Sequence, residues 1–518
     1  MANITKVYLL NVPLESDYTH TLYFSSASAQ QSYFAGRIQR SYTDFNYQRK
    51  DNIIRVEEHF DNLVNCNYVM YQNTAHSNKW YYAFITNIEY INDGRSDIHI
   101  DTDVLQTYAF DYTVKSSFVE REHVKSDTIG EHTVPEGLEM GEYVANDHIK
   151  DTNLKPSNMI VMGSTVLPSG EGGYDKASIG GTYNGVYSGS RYYGYPANTI
   201  SQTLQTMADN GAGDAVTSLF LCPSFLQEQQ GGGPITESQE AASYTFSVTK
   251  PTKLNGYTPK NKKLLTYPYH YLLASNGNGG SAIYKYEQFA STTCNFITYG
   301  ALTPGCSIRM MPTIYKGCQL PENEGLNLGK YPQCNWATDQ YTNWLTQNGV
   351  NIATSLVNAG ANIFAGAKMG AMTGGPTGAI VGAIVGGASG VAGIATTMQE
   401  VRNADRVPPQ SQGNINCGDV VTATGDNTFH YYKMSIKAEY AKIIDGYLTA
   451  FGYKVNTIKV PNKAHRSAYW FTKCIDANIT GAIPQQDLLK IKACYNKGVT
   501  FWRNANNIKD YSVENTIV

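Results

Sequence analysis

The chain has 518 residues, enough for two or more domains with filled cores, and a formal net charge of −3. That balance gives no reason to expect a surface built to coat nucleic acid, which is ordinarily basic. Nine cysteines, an odd number with no C-x-x-C pair, argue for free buried thiols over a disulfide framework. Tyrosine dominates the aromatics, 39 against 17 Phe and 5 Trp, which suits half-buried strands and protein–protein contacts. The opening ANITKVYLLNVPLESDY lacks the long apolar core of a secretory signal.

Residues 1–125 read as a β-meander. Strands at 80–85 and 88–91 lead to an Asn92-Asp93-Gly94 turn, then alternation over 98–105; local helices fit 26–40 and 104–110. From 126 to 262 the text turns Gly-, Ser- and Asn-rich around one helical stretch, 200–210, as expected of an inserted, loop-rich surface region. A second β unit follows at 263–345, with strands at 264–273, 283–289 and 294–299 and a helix at 336–351. Residues 346–406 make an apolar loop, with charges returning from Glu400, that Val407-Pro408-Pro409 ends. The final part, 407–518, mixes helices at 435–451 and 485–497 with strands at 453–460, 467–471, 474–480 and 500–502. The expectation is a mainly β, α+β fold.

The apolar segment has one formal charge between Asp339 and Glu400, Lys368. Within it glycine recurs every fourth residue: Gly366, Gly370, Gly374, Gly378, Gly382, Gly386 and Gly390. That spacing lines small residues along one helix face and permits close approach in lipid, whereas each helical glycine costs about 1 kcal/mol in a water-soluble helix. Gly374-Gly375-Pro376 is a natural reversal between two arms, 352–373 and 377–398, each near the ~20 residues that cross a hydrocarbon core. Apolar weight comes from Ile352, Leu356, Ile363 and Phe364 on the first arm, and from Ile380, Val381, Ile384, Val385, Val391 and Ile394 on the second. A membrane-contacting hairpin is the leading expectation. A buried core hairpin and a flexible linker are the alternatives.

Catalytic patterns are missing. Gly366 is followed by Ala367 and Lys368 in the wrong register for a phosphate loop. Asp101 and Asp103 could ligate a cation, but they continue an alternating strand where outward acids are routine. The runs Glu57-Glu58-His59 and Glu120-Arg121-Glu122-His123 lack metalloprotease spacing and read as solvated charges. Acids in the inserted region, such as Asp151 and Glu171, are scattered without the pairing a glycoside hydrolase needs. No cofactor or metal is expected.

Several blocks occur in order over both ends of the chain: NKWYYAF at 78–84, DVLQT at 103–107, FVEREHV at 118–124, LTYPY at 265–269, PPQ at 408–410, KAEY at 437–440, FGYKVN at 451–456, the run 472–502, and YSVEN at 511–515. Together they resemble the tail-knob, or distal tail tube, protein of small short-tailed, Picovirinae-type phages of Gram-positive hosts. The resemblance implies a homo-hexamer of tail-tube-like β-barrel domains forming a ring at the virion's tail tip. It also implies an apolar loop, placed before the Pro-Pro-Gln block, that plugs the tube and later penetrates the host cell membrane. The implied partners are other copies of the chain, other phage tail proteins, the host membrane, and viral double-stranded DNA passing without sequence-specific contact. Synthesis would be in the host cytoplasm. A near-neutral chain agrees, since a basic lumen would retain DNA through counterion release. The competing expectation is a tail-tip receptor- or carbohydrate-binding module in which the glycine tract is a passive plug.

Overall fold

The computed structural model describes residues 5–43, 51–73, 78–154, 156–169, 173–183, 186–226, 233–234, 243–277, 279–304, 306–317, 325–328, 331, 333–335, 414–415 and 427–518. The fold is mainly β. The chain divides into two compact units, Met1–Met140 with Pro259–Leu264 and Glu439–Val518, and Gly141–Thr258 with Leu265–Ala438.

The first unit is built on a six-stranded antiparallel sheet in the order Ile38–Tyr42, Thr5–Leu10, Tyr68–Asn73, Trp80–Asn92, Arg95–Thr102, Ile53–Val56. Alternation sends Tyr68, Met70, Tyr82 and Phe84 to one core and Val69, Tyr71, Ala83, Ile98 and Ile100 to another. The second core also takes Val7, Ile54 and Val56 from other strands of the same sheet, so the sheet curls over that face as a half-barrel. Ser26 caps the helix Ala27–Ala35 by accepting from the Ala29 N–H at 3.2 Å. The helical reading of 26–40 stops there, because 38–42 joins the sheet. Phe34 from that helix stacks on Tyr68, centroids 5.4 Å apart.

A second sheet in this unit unites the chain's two ends: His20–Leu22, Val499–Trp502, Tyr469–Ile475, Ser117–Glu122, Tyr453–Lys459, with only the first pair parallel. The helix Gln485–Lys497 packs Ile491 and Cys494 into a core with Val119, Cys474 and Val499. Gly498 follows it at φ 99°, and a Cβ there would lie 2.6 Å from the Phe471 ring.

The second unit packs three larger sheets around one core, to which the hairpin Gly181–Tyr183/Val186–Ser188 adds Tyr183. One runs Tyr143–Lys150, His430–Ile436, His270–Ser275, Ser281–Tyr284. Another runs Ser243–Thr249, Thr293–Ala301, Ser307–Thr313, Leu326–Asn327. The third runs Gly233–Pro234, Arg191–Pro196, Pro156–Ser164, Val216–Pro223, Gln333–Asn335, Asn414–Ile415. Val161, Phe220, Leu272, Tyr284, Phe296 and Tyr431 meet in the shared core. The stretch 126–262 thus contributes strands to all three sheets. Short runs of Val, Leu and Tyr between its turn glycines supply the buried faces, with Tyr192 3% exposed and Phe220 fully buried. Its helix, Ala197–Asp209, lies where the sequence pattern placed one.

Candidate functional site

The apolar residues Ile352 to Ile394, Lys368 and the four-spaced glycines all lie outside the described residues. So does the expected helix at 336–351. What the structure gives is the segment's base. Gln333–Asn335 continues the sheet by pairing with Val216–Pro223, Leu219 opposite Cys334. Asn414–Ile415 then pairs antiparallel with it, Cys334 opposite Ile415 and Asn335 opposite Asn414. Neighbouring strands lie about 4.8 Å apart. The described strands on either side of the apolar segment are therefore neighbours in one sheet.

The charges of Glu120-Arg121-Glu122-His123, read as solvated, are mostly internal: Arg121 is 6%, Glu122 0% and His123 5% exposed. Glu122 accepts from the Asn462 N–H at 2.8 Å, from its side-chain amide at 2.9 Å, and from the Lys459 ammonium. Arg121 donates to buried Glu136 and, at 2.7 Å, to the Gly452 carbonyl, while its guanidinium covers Tyr447. Lys263 also donates to Glu136, and burial pulls its pKa down. His123 Nδ1 accepts from the Phe471 N–H at 2.8 Å, so Nε2 carries the proton donated to the Thr449 carbonyl at 3.1 Å. Burial first, then the nearby Arg466 charge, hold its pKa down at about 3. These groups pin Ser117–Glu122 to the Tyr453 and Tyr469 strands. Gly452, at φ 67°, lets the backbone pass where a Cβ would come within 2.2 Å of the Glu122 carbonyl.

Asp103 is a helix cap. Its Oδ1 accepts from the Leu105 and Gln106 N–H groups at 3.0 Å each and Oδ2 from the Tyr68 hydroxyl at 2.9 Å, ending the strand that alternation carried to 105. Burial raises its carboxyl to about 6 against those hydrogen bonds. Asp101 pairs at the surface with Lys490 at 2.7 Å. Asp151 is buried, accepting from Tyr244 Oη and the Asn153 N–H. Among the described residues no cluster of three or more His, Cys, Asp or Glu could hold a metal, and Cys66, Cys222, Cys294, Cys306, Cys474 and Cys494 are buried thiols outside any disulfide.

A mainly β chain with a curled N-terminal sheet is the architecture of phage tail proteins: residues 3–113 match the Caudoviral major tail protein N-terminus, and the fold matches that of the tail knob protein gp12 of bacteriophage C1, TM-score 0.65 at 13% identity over 99% of this chain and 100% of that one. Residues 236–516 match the C-terminal domain of the Bacillus phage phi29 tail knob protein gp9, and the chain belongs to that tail knob family. It is 26% identical to tail knob protein gp9 of Bacillus phage phi29, over 98% of each chain. To that of Bacillus phage B103 it is 27% identical, over 98% of this chain and 97% of the relative. The chain is a structural component of the virion's tail, assembling with other tail proteins, and is not an enzyme.

Proposed function

We propose that the chain forms, as a homo-hexameric ring, the distal conduit through which viral double-stranded DNA leaves the tail. Its apolar excursion closes the tube at rest and then penetrates the host cell membrane. The observation that carries this reading is the pairing of Asn335 with Asn414. The two strands that flank the apolar segment are held together in one ladder, which supports a segment able to leave a lumen while its flanks stay paired. Its four-spaced glycines suit close packing in lipid. Lys368 can snorkel to a headgroup or face pore water. Residues 126–262 would carry their glycine-rich turns on the outer surface.

Release of a trapped dye from liposomes tests the membrane step, comparing the whole chain with a variant lacking 352–398 from neutral to mildly acidic pH. Leakage by the whole chain alone is expected. Equal leakage from both, or none from the whole chain at any pH, leaves a passive plug. Particle images of the purified chain test the conduit: a hollow ring of one repeated subunit supports it, and a monomer at every concentration contradicts it.

A further inference from the structure

Two features of the first unit complement each other. The ladder of Trp80–Asn92 to Tyr68–Asn73 ends at Phe84, and beyond Ile85 its described pairing is to Arg95–Thr102. The resulting hairpin tip exposes Tyr90 (51%) and Ile91 (39%) between exposed Glu89 and Asp93. An open strand edge bearing exposed apolar side chains is a template for a second chain. The tip is shaped in advance: the Tyr90 hydroxyl donates to Asp93, its ring packs on His59 with centroids 5.8 Å apart, and the Gly94 N–H donates to Asn92 Oδ1 at 3.0 Å.

The complement is a cleft of about 600 Å³ on one face of the His20–Val499–Tyr469–Ser117–Tyr453 sheet. Tyr447, Phe471 and Tyr511 give it apolar walls, and Lys473, Lys497 and Lys509 stand around them. Glu120 is the one carboxylate in its lining, and the Arg121 charge is already met by buried Glu136. Lys473 pairs with Glu120 at 2.9 Å, Lys509 with Glu15 at 2.7 Å, and Lys497 donates to the Asp17 carbonyl at 2.9 Å. These are solvent-accessible contacts that an incoming acid can replace.

We propose that the hairpin tip of one copy docks in this cleft of a second copy. Tyr90 and Ile91 meet the aromatic walls, and Glu89 and Asp93 face the lysines. Both halves belong to the same chain, with opposite charge and matching apolar content. Because they are different surfaces, the contact is heterologous and repeats head to tail until a ring closes. The inference rests on the self-assembly proposed above.

Sedimentation of the full chain tests it with two variants, Glu89→Lys/Asp93→Lys at the tip and Lys497→Glu/Lys509→Glu in the cleft, each checked for fold by circular dichroism. Each alone is expected to need at least tenfold more protein to assemble, and an equimolar mixture to recover the wild-type concentration, since each unaltered half then meets an unaltered partner and each reversed half a reversed one. Wild-type assembly by both variants overturns the docking, as does loss without recovery in the mixture. Variants that assemble normally but no longer join other tail proteins would assign the cleft to a different protein. A wild-type chain that stays monomeric removes the self-assembly reading itself.

Discussion

Asn335 and Asn414 sit opposite each other in one antiparallel ladder. Loop-closure cost falls as a loop shortens, so joining the two strands directly favours their pairing. Replacing residues 336–413 by a tight turn is expected to leave the circular dichroism spectrum intact and the urea midpoint no lower than the parent's. A collapse of the midpoint would show that the excursion supports the fold.

Glu136 answers two buried cations, Arg121 and Lys263. Glu136→Gln removes the one carboxylate that both are bonded to and is expected to cost about 3–5 kcal/mol in urea unfolding. Asp101→Asn, which breaks the pair with Lys490 in which both side chains are nearly half exposed, should cost under about 1 kcal/mol. Equal losses would contradict the burial argument.

Gly452 and Gly498 are placed by backbone shape. Gly452→Ala forces a positive φ and drives Cβ into the Glu122 carbonyl, so a loss above about 2 kcal/mol is expected. Gly446→Ala is the control, since a Cβ there meets nothing within 4 Å. It should be neutral or stabilising.

Much of this was legible in sequence where one element decides its own fate. The period of 485–497 and the hydrophobic run at 80–91 mark elements found at Gln485–Lys497 and Trp80–Asn92. Failures came where distant residues decide. Nothing near Glu122 announces that Asn462 and Lys459 will bury it. Asp103 looked like one more strand acid because its partner, Tyr68, lies across the sheet. The short strands Arg191–Pro196 and Val216–Pro223 were masked by flanking glycine and serine, which signal turns whatever the strands between them do. The apolar segment is legible as composition, and the structure adds the pairing of the strands that flank it.

Stability should fall with acid. His123 has a folded pKa of about 3, and His148, His270 and His465 are held at about 4, mainly by burial, against about 6.5 unfolded. Depressed histidines stabilise above the unfolded value, and that stabilisation is lost as pH falls toward the folded value. At pH 5 His123 alone accounts for about 2 kcal/mol. Asp103, raised to about 6, acts oppositely: its penalty grows between about 4 and 6 as pH rises. With four histidines against it, the melting temperature is expected to drop from pH 7 to pH 5. A flat or rising profile would contradict the neutral imidazoles.

Residues 336–413 are proposed above to open a path through lipid. Conductance across a planar bilayer is the most direct test, with the whole chain and the turn-replaced variant added in turn. Discrete conductance steps are expected from the whole chain and a silent bilayer with the variant. Steps of equal size and frequency from both, or a silent bilayer with the whole chain across neutral to mildly acidic pH, would contradict it.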